Sequence, residues 1–257
     1  MVCCGVNPGD SLLVHSALFN LGMLEGSSPR TLCADLYAVF REYLGDKGTL
    51  LIPTFFYDYA RHGIPYDLQS SPPDKGLGVF VEYLGLRPEM VRSFNPLFNL
   101  SGVGPQAEFI CRGNTASAWG INSPWDRMTD VDAKIIGFGS PFIHSCTYMM
   151  YVEQRVGSPH MYNKVYRTPV YDGGKPVDKL VTAFVRYLDF GVRHDFNRLS
   201  ELGEKKGVIR AARLGSGRVV GFSCREMLEF GAARLSEDPF FFLAKVPEFR
   251  ENELPLI

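Results

Sequence analysis

Residues 11–53 constrain the fold more than any other segment. Ser11-Leu12-Leu13-Val14-His15 is an almost unbroken apolar run of strand length, and Gly48-Thr49-Leu50-Leu51-Ile52-Pro53 is a second. Such runs belong inside a sheet covered on both faces. Between them Leu32, Leu36, Phe40 and Leu44 recur at helical spacing up to Gly45. That is an amphipathic stripe followed by a stop signal. A strand, a helix and a strand in this order favour parallel pairing of the two strands. Asn7-Pro8-Gly9-Asp10 reads as the lead-in turn, and a loop with Gly22 and Gly26 runs into Ser27-Ser28-Pro29 as the helix start.

The same alternation continues. The pattern predicts a helix over 76–86 with Leu77, Phe80, Val81 and Leu84 inward, a strand near 100–103 and a short helix over 106–111. Residues 134–139 read as a central strand that reaches a Gly-Ser-Pro turn, and 145–155 as its helix. Residues 54–73 form a long loop rich in aromatic and polar side chains, including Phe55, Phe56, Tyr57, Tyr59, His62, Tyr66 and Asp67. A loop of that length is usually functional or mobile. Residues 119–126 make a second loop with large side chains. Beyond Tyr166 a hairpin is expected over 168–188 around Asp172-Gly173-Gly174-Lys175. A helix over 196–205 follows, then a second hairpin about Gly215-Ser216-Gly217. Ser223 then caps a helix running to Leu235, with a restart near Asp238. The fold class is therefore α/β, turning to α+β toward the C-terminus: a mixed, mostly parallel central sheet flanked by helices, with C-terminal hairpins. One domain is expected over 1–257, with an α/β core in 1–167, an α+β part in 168–257 and no clear linker.

Hydrophobic residues make up 46% of the 257 and charged residues 21%, with a formal net charge of −1. That charge gives no basic stripe for nucleic acid and no acidic excess for a polycation. The six cysteines lack CxxC spacing or any paired framework, so reduced thiols, no structural zinc and a cytoplasmic location are expected. Neither a run of membrane length nor a signal peptide is present, so no membrane partner is expected.

Thr147, Met150 and Glu153 recur every three residues and share one helical face. His144 and His160 bracket them. His15-Ser16 ends a strand, where backbone amides could bind phosphate or polarise a carbonyl. Each has a plainer alternative: a strand-end histidine, a core methionine, a solvated glutamate. Asp67 is either a turn former or a site acid, and Arg92, Asn95 and Ser123-Pro124 alone mark only polar loops. The five histidines are His15, His62, His144, His160 and His194, and proton transfer near neutral pH most often uses such a group. No GxSxG elbow, P-loop or GxGxxG after a strand occurs.

Five blocks in order resemble the aminoglycoside 3-N-acetyltransferase family. They are residues 5–16 followed by Leu21-Gly22, residues 48–55, Arg92-Ser93-x-Asn95-Pro96, Gly120-x-x-Ser123-Pro124, and Thr147-x-x-Met150-x-x-Glu153. The resemblance implies an acyltransferase that moves an acyl group from coenzyme A to an amine on a sugar ring, with no metal. It implies that His15, Ser16, Ala17 and Ser123 lie against coenzyme A. Tyr57, Arg92, Asn95, Thr147 and Met150 would contact the acceptor, and Glu153, His144, His160 and Asp67 would serve catalysis. Assembly as a homodimer is left open. Two positions depart from the pattern: the family's base histidine is Met150, and its histidine before the proline is Asn95, which cannot titrate.

The favoured acceptor is an amino sugar, most readily a nucleotide-linked one bound for a surface polysaccharide, since the loop aromatics could stack on a sugar or base. The alternatives are acetylation of aminoglycoside antibiotics, for which a strongly acidic cleft is expected, and a coenzyme A-binding protein that has lost catalysis.

Overall fold

The computed structural model describes residues 1–22, 25, 27–28 and 30–250. Gly26 and Pro29 of the expected helix lead-in lie outside the described residues. In chain order the strands are β1 (Ser11–Ser16), β2 (Thr49–Pro53), β3 (Tyr66–Asp67), β4 (Val91–Arg92), β5 (Leu100–Val103), β6 (Lys134–Phe138), β7 (Met161–Tyr166), β8 (Val170–Asp172), β9 (Lys175–Pro176), β10 (Val181–Arg186), β11 (Arg210–Leu214) and β12 (Gly217–Ser223). The helices are α1 (Leu32–Leu44), α2 (Asp58–Arg61), α3 (Val79–Leu84), α4 (Ala107–Cys111), α5 (Pro124–Asp130), α6 (Phe142–Ser145), α7 (Tyr148–Val156), α8 (Asn197–Lys206) and α9 (Cys224–Glu237).

Seven strands form one mixed sheet in the order β11-β12-β6-β1-β2-β5-β4. The β1-α1-β2 unit is as its apolar runs require, with Leu12 opposite Leu50 in a parallel pair. β6 joins β1 on its other side, also parallel. The parallel part ends there: β5 on β2, β4 on β5, β12 on β6 and β11 on β12 are all antiparallel. The sheet is thus mixed and helix-flanked as expected, but less parallel. Hairpin returns, which need no crossover helix, extend it at both edges.

Period-2 alternation splits the core across the sheet. Leu12, Val14, Leu50 and Ile52 pack with Leu36, Phe40 and Leu44 of α1 and with Phe80, Val81 and Leu84 of α3. Leu13 and Leu51 face the opposite way, into a larger core that holds Trp119, Trp125, Tyr148 and Met149. Trp119 and Trp125 are fully buried with ring centroids 5.0 Å apart. Such aromatic pairs are worth about 0.5–1.5 kcal/mol beyond area burial.

Two glycines seat the segment after β6. A Cβ at Gly137 would stand 2.2 Å from Ser145 Oγ, and Gly139 has φ +72 with Ala17 O 2.5 Å from its Cβ position. Only glycine lets α6 close onto the strand end there. The helix expected over 145–155 starts later, as α7, and a separate short helix, α6, precedes it across a break at Cys146-Thr147. Gly157, left-handed at φ 69, ends the second and donates its N–H to the Gln154 and Glu153 carbonyls.

Residues 161–166, not read as a strand from sequence, pair with β10 in a separate two-stranded sheet. The expected hairpin over 168–188 therefore divides: β9 returns on β8, while β10 turns to β7. The 54–73 loop carries α2 and β3, the latter parallel to β8. Pro124 starts α5 inside what reads as a loop, and the helix expected to restart near Asp238 is a turn. The helix over 106–111, the helix α8, the β11–β12 hairpin and the Ser223 cap of α9 match the sequence reading within a residue or two. No described helix is long and apolar enough to cross a membrane.

Candidate active site

A cleft of about 680 Å³ opens beside the N-terminal end of α7. Its walls include Tyr57, Thr147, Met150, Lys164, Arg186 and His194. The i, i+3, i+6 spacing does place Thr147, Met150 and Glu153 along one helix face. Thr147 and Met150 reach the cleft, and Glu153 is fully buried behind it.

Glu153 Oε1 accepts two hydrogen bonds, one from His160 Nε2 at 2.7 Å and one from His194 Nε2 at 2.9 Å. Its other oxygen, Oε2, is buried without a partner, as is His160 Nδ1. Burial works against ionisation of Glu153, but the two imidazoles outweigh it and hold the carboxyl below its ordinary range. His160 has no exposed surface, whereas the His194 side chain keeps 9% of its surface at the cleft wall. With Nε2 on the carboxylate, Nδ1 is the His194 nitrogen left for a cleft ligand.

His194 is held from three sides. Its ring stacks on Phe196 at 5.0 Å, and it meets His160 edge-on at 6.2 Å. The backbone around it is clamped to the C-terminal segment: Asp195 N donates to Phe242 O at 2.8 Å and Ala244 N to Arg193 O at 3.0 Å. His194 was not singled out among the five histidines, because no local pattern marks it. The chain separates it from Glu153 by 41 residues, and only the tertiary fold joins them.

Glu153, His160 and His194 offer ligand-type atoms within 4.8 Å of one another. Donors on a single zinc at its usual bond lengths stand about 3.3 Å apart. The 2.7 and 2.9 Å separations seen here are those of hydrogen bonds.

Most other expected site residues have structural partners. His144 is exposed on α6 and does not line the cleft. Asp67 accepts N–H bonds from Gln69, Gly173 and Gly174, tying β3 to the β8–β9 turn. Burial disfavours its charge, but those backbone donors prevail and lower its pKa. Ser123 is fully buried, and its hydroxyl caps α5 by accepting from Asp126 N. Arg92 is buried and donates to the Thr54 and Ser71 carbonyls and to Asn99 Oδ1. Asn95 is 1% exposed and donates to Ala116 O at 3.0 Å and Thr182 O at 3.1 Å, joining its loop to β10. These four position the walls and do not enter the cleft themselves.

At the end of β1, His15 Nε2 and Ser16 Oγ are buried without partners. Burial pulls the His15 pKa down to about 4. Ala17 abuts Gly139, which with Asn20, Ser140 and Arg218 lines a second cleft of about 440 Å³. The two clefts share Ile143 and Phe196.

A family model described as aminoglycoside 3-N-acetyltransferase matches residues 13–236. Aminoglycoside N(3)-acetyltransferase III of Serratia marcescens is 27% identical over 182 residues, 65% of this chain and 65% of that protein. Aminoglycoside N(3)-acetyltransferase VIII of Streptomyces fradiae is 28% identical over 194 residues, 67% of this chain and 64% of that protein. The matches thus span slightly less than two thirds of these relatives' lengths. Among solved structures, AAC-IIIb in binary complex with CoASH superposes with a TM-score of 0.77 at 21% identity, covering 96% of both chains. A variant of aminoglycoside acetyltransferase AAC(3)-IVa in complex with apramycin gives 0.71 at 24% identity, covering 93% of this chain and 90% of that one. At these identities the superpositions establish the shared fold.

Proposed function

The chain belongs to the aminoglycoside 3-N-acetyltransferase family, and we propose that it transfers an acetyl group from acetyl-CoA to an amine of an aminoglycoside-type amino sugar. The observation that carries this reading is the 2.9 Å contact between Glu153 and His194 at the cleft wall. The family's base position on α7 is Met150, which accepts no proton. The glutamate that would hold that base is present, and it holds His194 instead.

The chemistry follows from this placement. A sugar amine arrives largely as an ammonium, with an amine pKa near 8, and attacks only after losing a proton. His194 Nδ1 takes that proton, because Nε2–H donates to Glu153 and fixes the tautomer. The ionised carboxylate stabilises the imidazolium that forms. The amine nitrogen bonds to the thioester carbon, the C–S bond breaks, and the thiolate leaves and is protonated. Thr147 lines the cleft, and its hydroxyl makes no hydrogen bond among the described residues, so it is free to donate to the carbonyl oxygen as charge develops. General-base help of this kind contributes about 10²–10⁴ in rate.

Acetyl-CoA supplies the activated acyl group. Its arm is assigned to the second cleft, which Asn20 and Ser140 line and which Ala17 approaches through Gly139. Relatives named as aminoglycoside acetyltransferases support an aminoglycoside amine over a nucleotide-linked sugar for a surface polysaccharide. The test is thiol release from acetyl-CoA with gentamicin, apramycin and simple amino sugars as acceptors. Acceptor-dependent release is expected; none with any acceptor rejects the reading and leaves a protein that has lost catalysis.

A further inference from the structure

The proton transfer proposed above uses His194 and Glu153 and leaves one buried imidazole, His160, without a task. The backbone sets its position. Left-handed Gly157 reverses the chain after α7, and Ser158 N donates back to Glu153 O at 3.0 Å. His160 therefore returns to the side of Glu153 just past the helix end. Tyr187 N donates to His160 O at 3.3 Å and ties it to the end of β10. The ring has no exposed surface, with Phe240 at 6.0 Å and the edge of His194 at 6.2 Å.

Hydrogen-bond capacity fixes what this ring does. His160 Nε2 lies 2.7 Å from Glu153 Oε1, and Nδ1 is buried with no partner among the described residues. The ring N–H belongs on Nε2, because a buried Nδ1–H would have no acceptor. No surface of the ring meets the cleft, so it takes no proton from a substrate. Glu153 Oε2 is also unpartnered, so among the described residues His160 and His194 are the two donors to the carboxylate, and both use Oε1. An N–H drawn to that oxygen stabilises its charge and reduces what the carboxylate offers the other ring.

We propose that His160 is a positioning residue for the transfer: its one N–H fixes the carboxylate that holds His194 and weakens the pull of that carboxylate on a proton arriving at His194. This rests on the acyltransferase reading and deepens it. Without His160, Glu153 would bind the imidazolium more tightly, and less of His194 would be neutral and ready to accept a proton from the amine. Other charged groups surround the pair. Arg186 on β10 lies within electrostatic reach of Glu153 and of Arg193, and the buried Cys146 thiol within reach of the same carboxylate. Arg61, Lys164 and Asp189 line the cleft, and Asp195 is turned to accept from Asn197 N. All are unchanged in the variants below, so a difference between variants reports the His160 bond.

The test follows the His194 ring signals of the full chain by NMR across pH, with kcat for thiol release over the same range. His160→Phe keeps a ring beside Phe240 and removes the N–H. In it His194 is expected to take up its proton at a pH higher by about half a unit or more, about threefold in proton affinity. Its kcat is expected to fall about threefold or more at the acid end and to return to within about twofold of the unaltered chain at the alkaline plateau. His160→Gln, which can return an N–H to the same oxygen, is expected to recover at least half of the shift. An unmoved or lowered His194 titration, or a kcat loss equal at every pH, would overturn the proposal. If His160→Phe does not fold, nitrogen shifts of the unaltered chain at pH 8 decide: a His160 proton on Nε2 supports the proposal, and one on Nδ1 overturns it. The ring signals are read without turnover, so the result stands or fails separately from the acceptor assay.

Discussion

His194 Nε2 lies 2.9 Å from Glu153 Oε1, and the same oxygen accepts from His160 Nε2 at 2.7 Å. One carboxylate therefore orients two imidazoles, of which only His194 lines the cleft. The helix position that matches the family's base holds Met150; under the proposed function the proton acceptor is His194, on a loop, with Glu153 on α7 as its anchoring carboxylate.

If position 150 and position 194 serve the same cleft, an imidazole at either one should work. Met150 lines the cleft and is only half-buried, so a polar ring there meets ligand and not core. Met150→His, placed in a His194→Ala background, is expected to raise kcat at least tenfold over His194→Ala alone, within the roughly 10²–10⁴ span of general-base help. Steady-state thiol release measures it.

The charge on Glu153 matters as well as its hydrogen bonds. Glu153→Gln keeps an acceptor oxygen for the two histidines but leaves the imidazolium without a counter-charge. A fall in kcat of about tenfold or more is expected, with KM for acetyl-CoA within about twofold. Equal loss in both parameters would instead indicate a damaged cleft.

Arg92 and Asn95, expected at the acceptor, hold loops together through buried hydrogen bonds. Arg92 donates to two carbonyls and to Asn99 from a buried position. Arg92→Met leaves those acceptors unsatisfied, at a cost of about 1–3 kcal/mol each in the worst case. Thermal and denaturant melts are expected to show clear destabilisation, while KM of the protein that remains folded is unchanged.

How much the sequence disclosed follows from how local each signal is. The β1-α1-β2 unit, the Gly215-Ser216-Gly217 hairpin and the Ser223 cap depend on periodicity and turn chemistry within a few residues, and all three appear in the structure. The helix face bearing Thr147, Met150 and Glu153 was equally legible. What escaped depends on distant pairing. Residues 161–166 become a strand because β10 lies opposite them. His194 becomes a partner of Glu153 because residues 242–244 clamp its loop. The backbone partners of Asp67 and Ser123 were hidden for a related reason: a polar residue in a loop looks the same whether it caps its own backbone or faces a ligand.

His15 gives the stability a defined pH dependence. Burial lowers its folded-state pKa from 6.5 to about 4, so between those values the unfolded chain binds the extra proton. Stability from keeping this ring neutral is complete above about 6.5 and is lost as pH falls toward 4. The full difference corresponds to about 3 kcal/mol. Denaturant titrations at pH 7 and pH 4 are expected to show that much less acid sensitivity in His15→Phe than in the natural chain.

The hydrogen-bond spacing around Glu153 also predicts indifference to chelators. Purified protein should contain well under stoichiometric zinc by mass spectrometry, and prolonged EDTA treatment should leave thiol release unchanged. Stoichiometric metal lost together with activity would mean that Glu153, His160 and His194 close on an ion.

The most direct measurement is kcat for acetyl transfer by His194→Ala across pH, against the unaltered chain and with the acceptor identified by thiol release. A loss of about 10²-fold or more at neutral pH is predicted, shrinking at alkaline pH as the acceptor amine sheds its own proton. A variant that keeps kcat within about twofold throughout would show that the proton leaves by another route and that the Glu153–His194 pair is only structural.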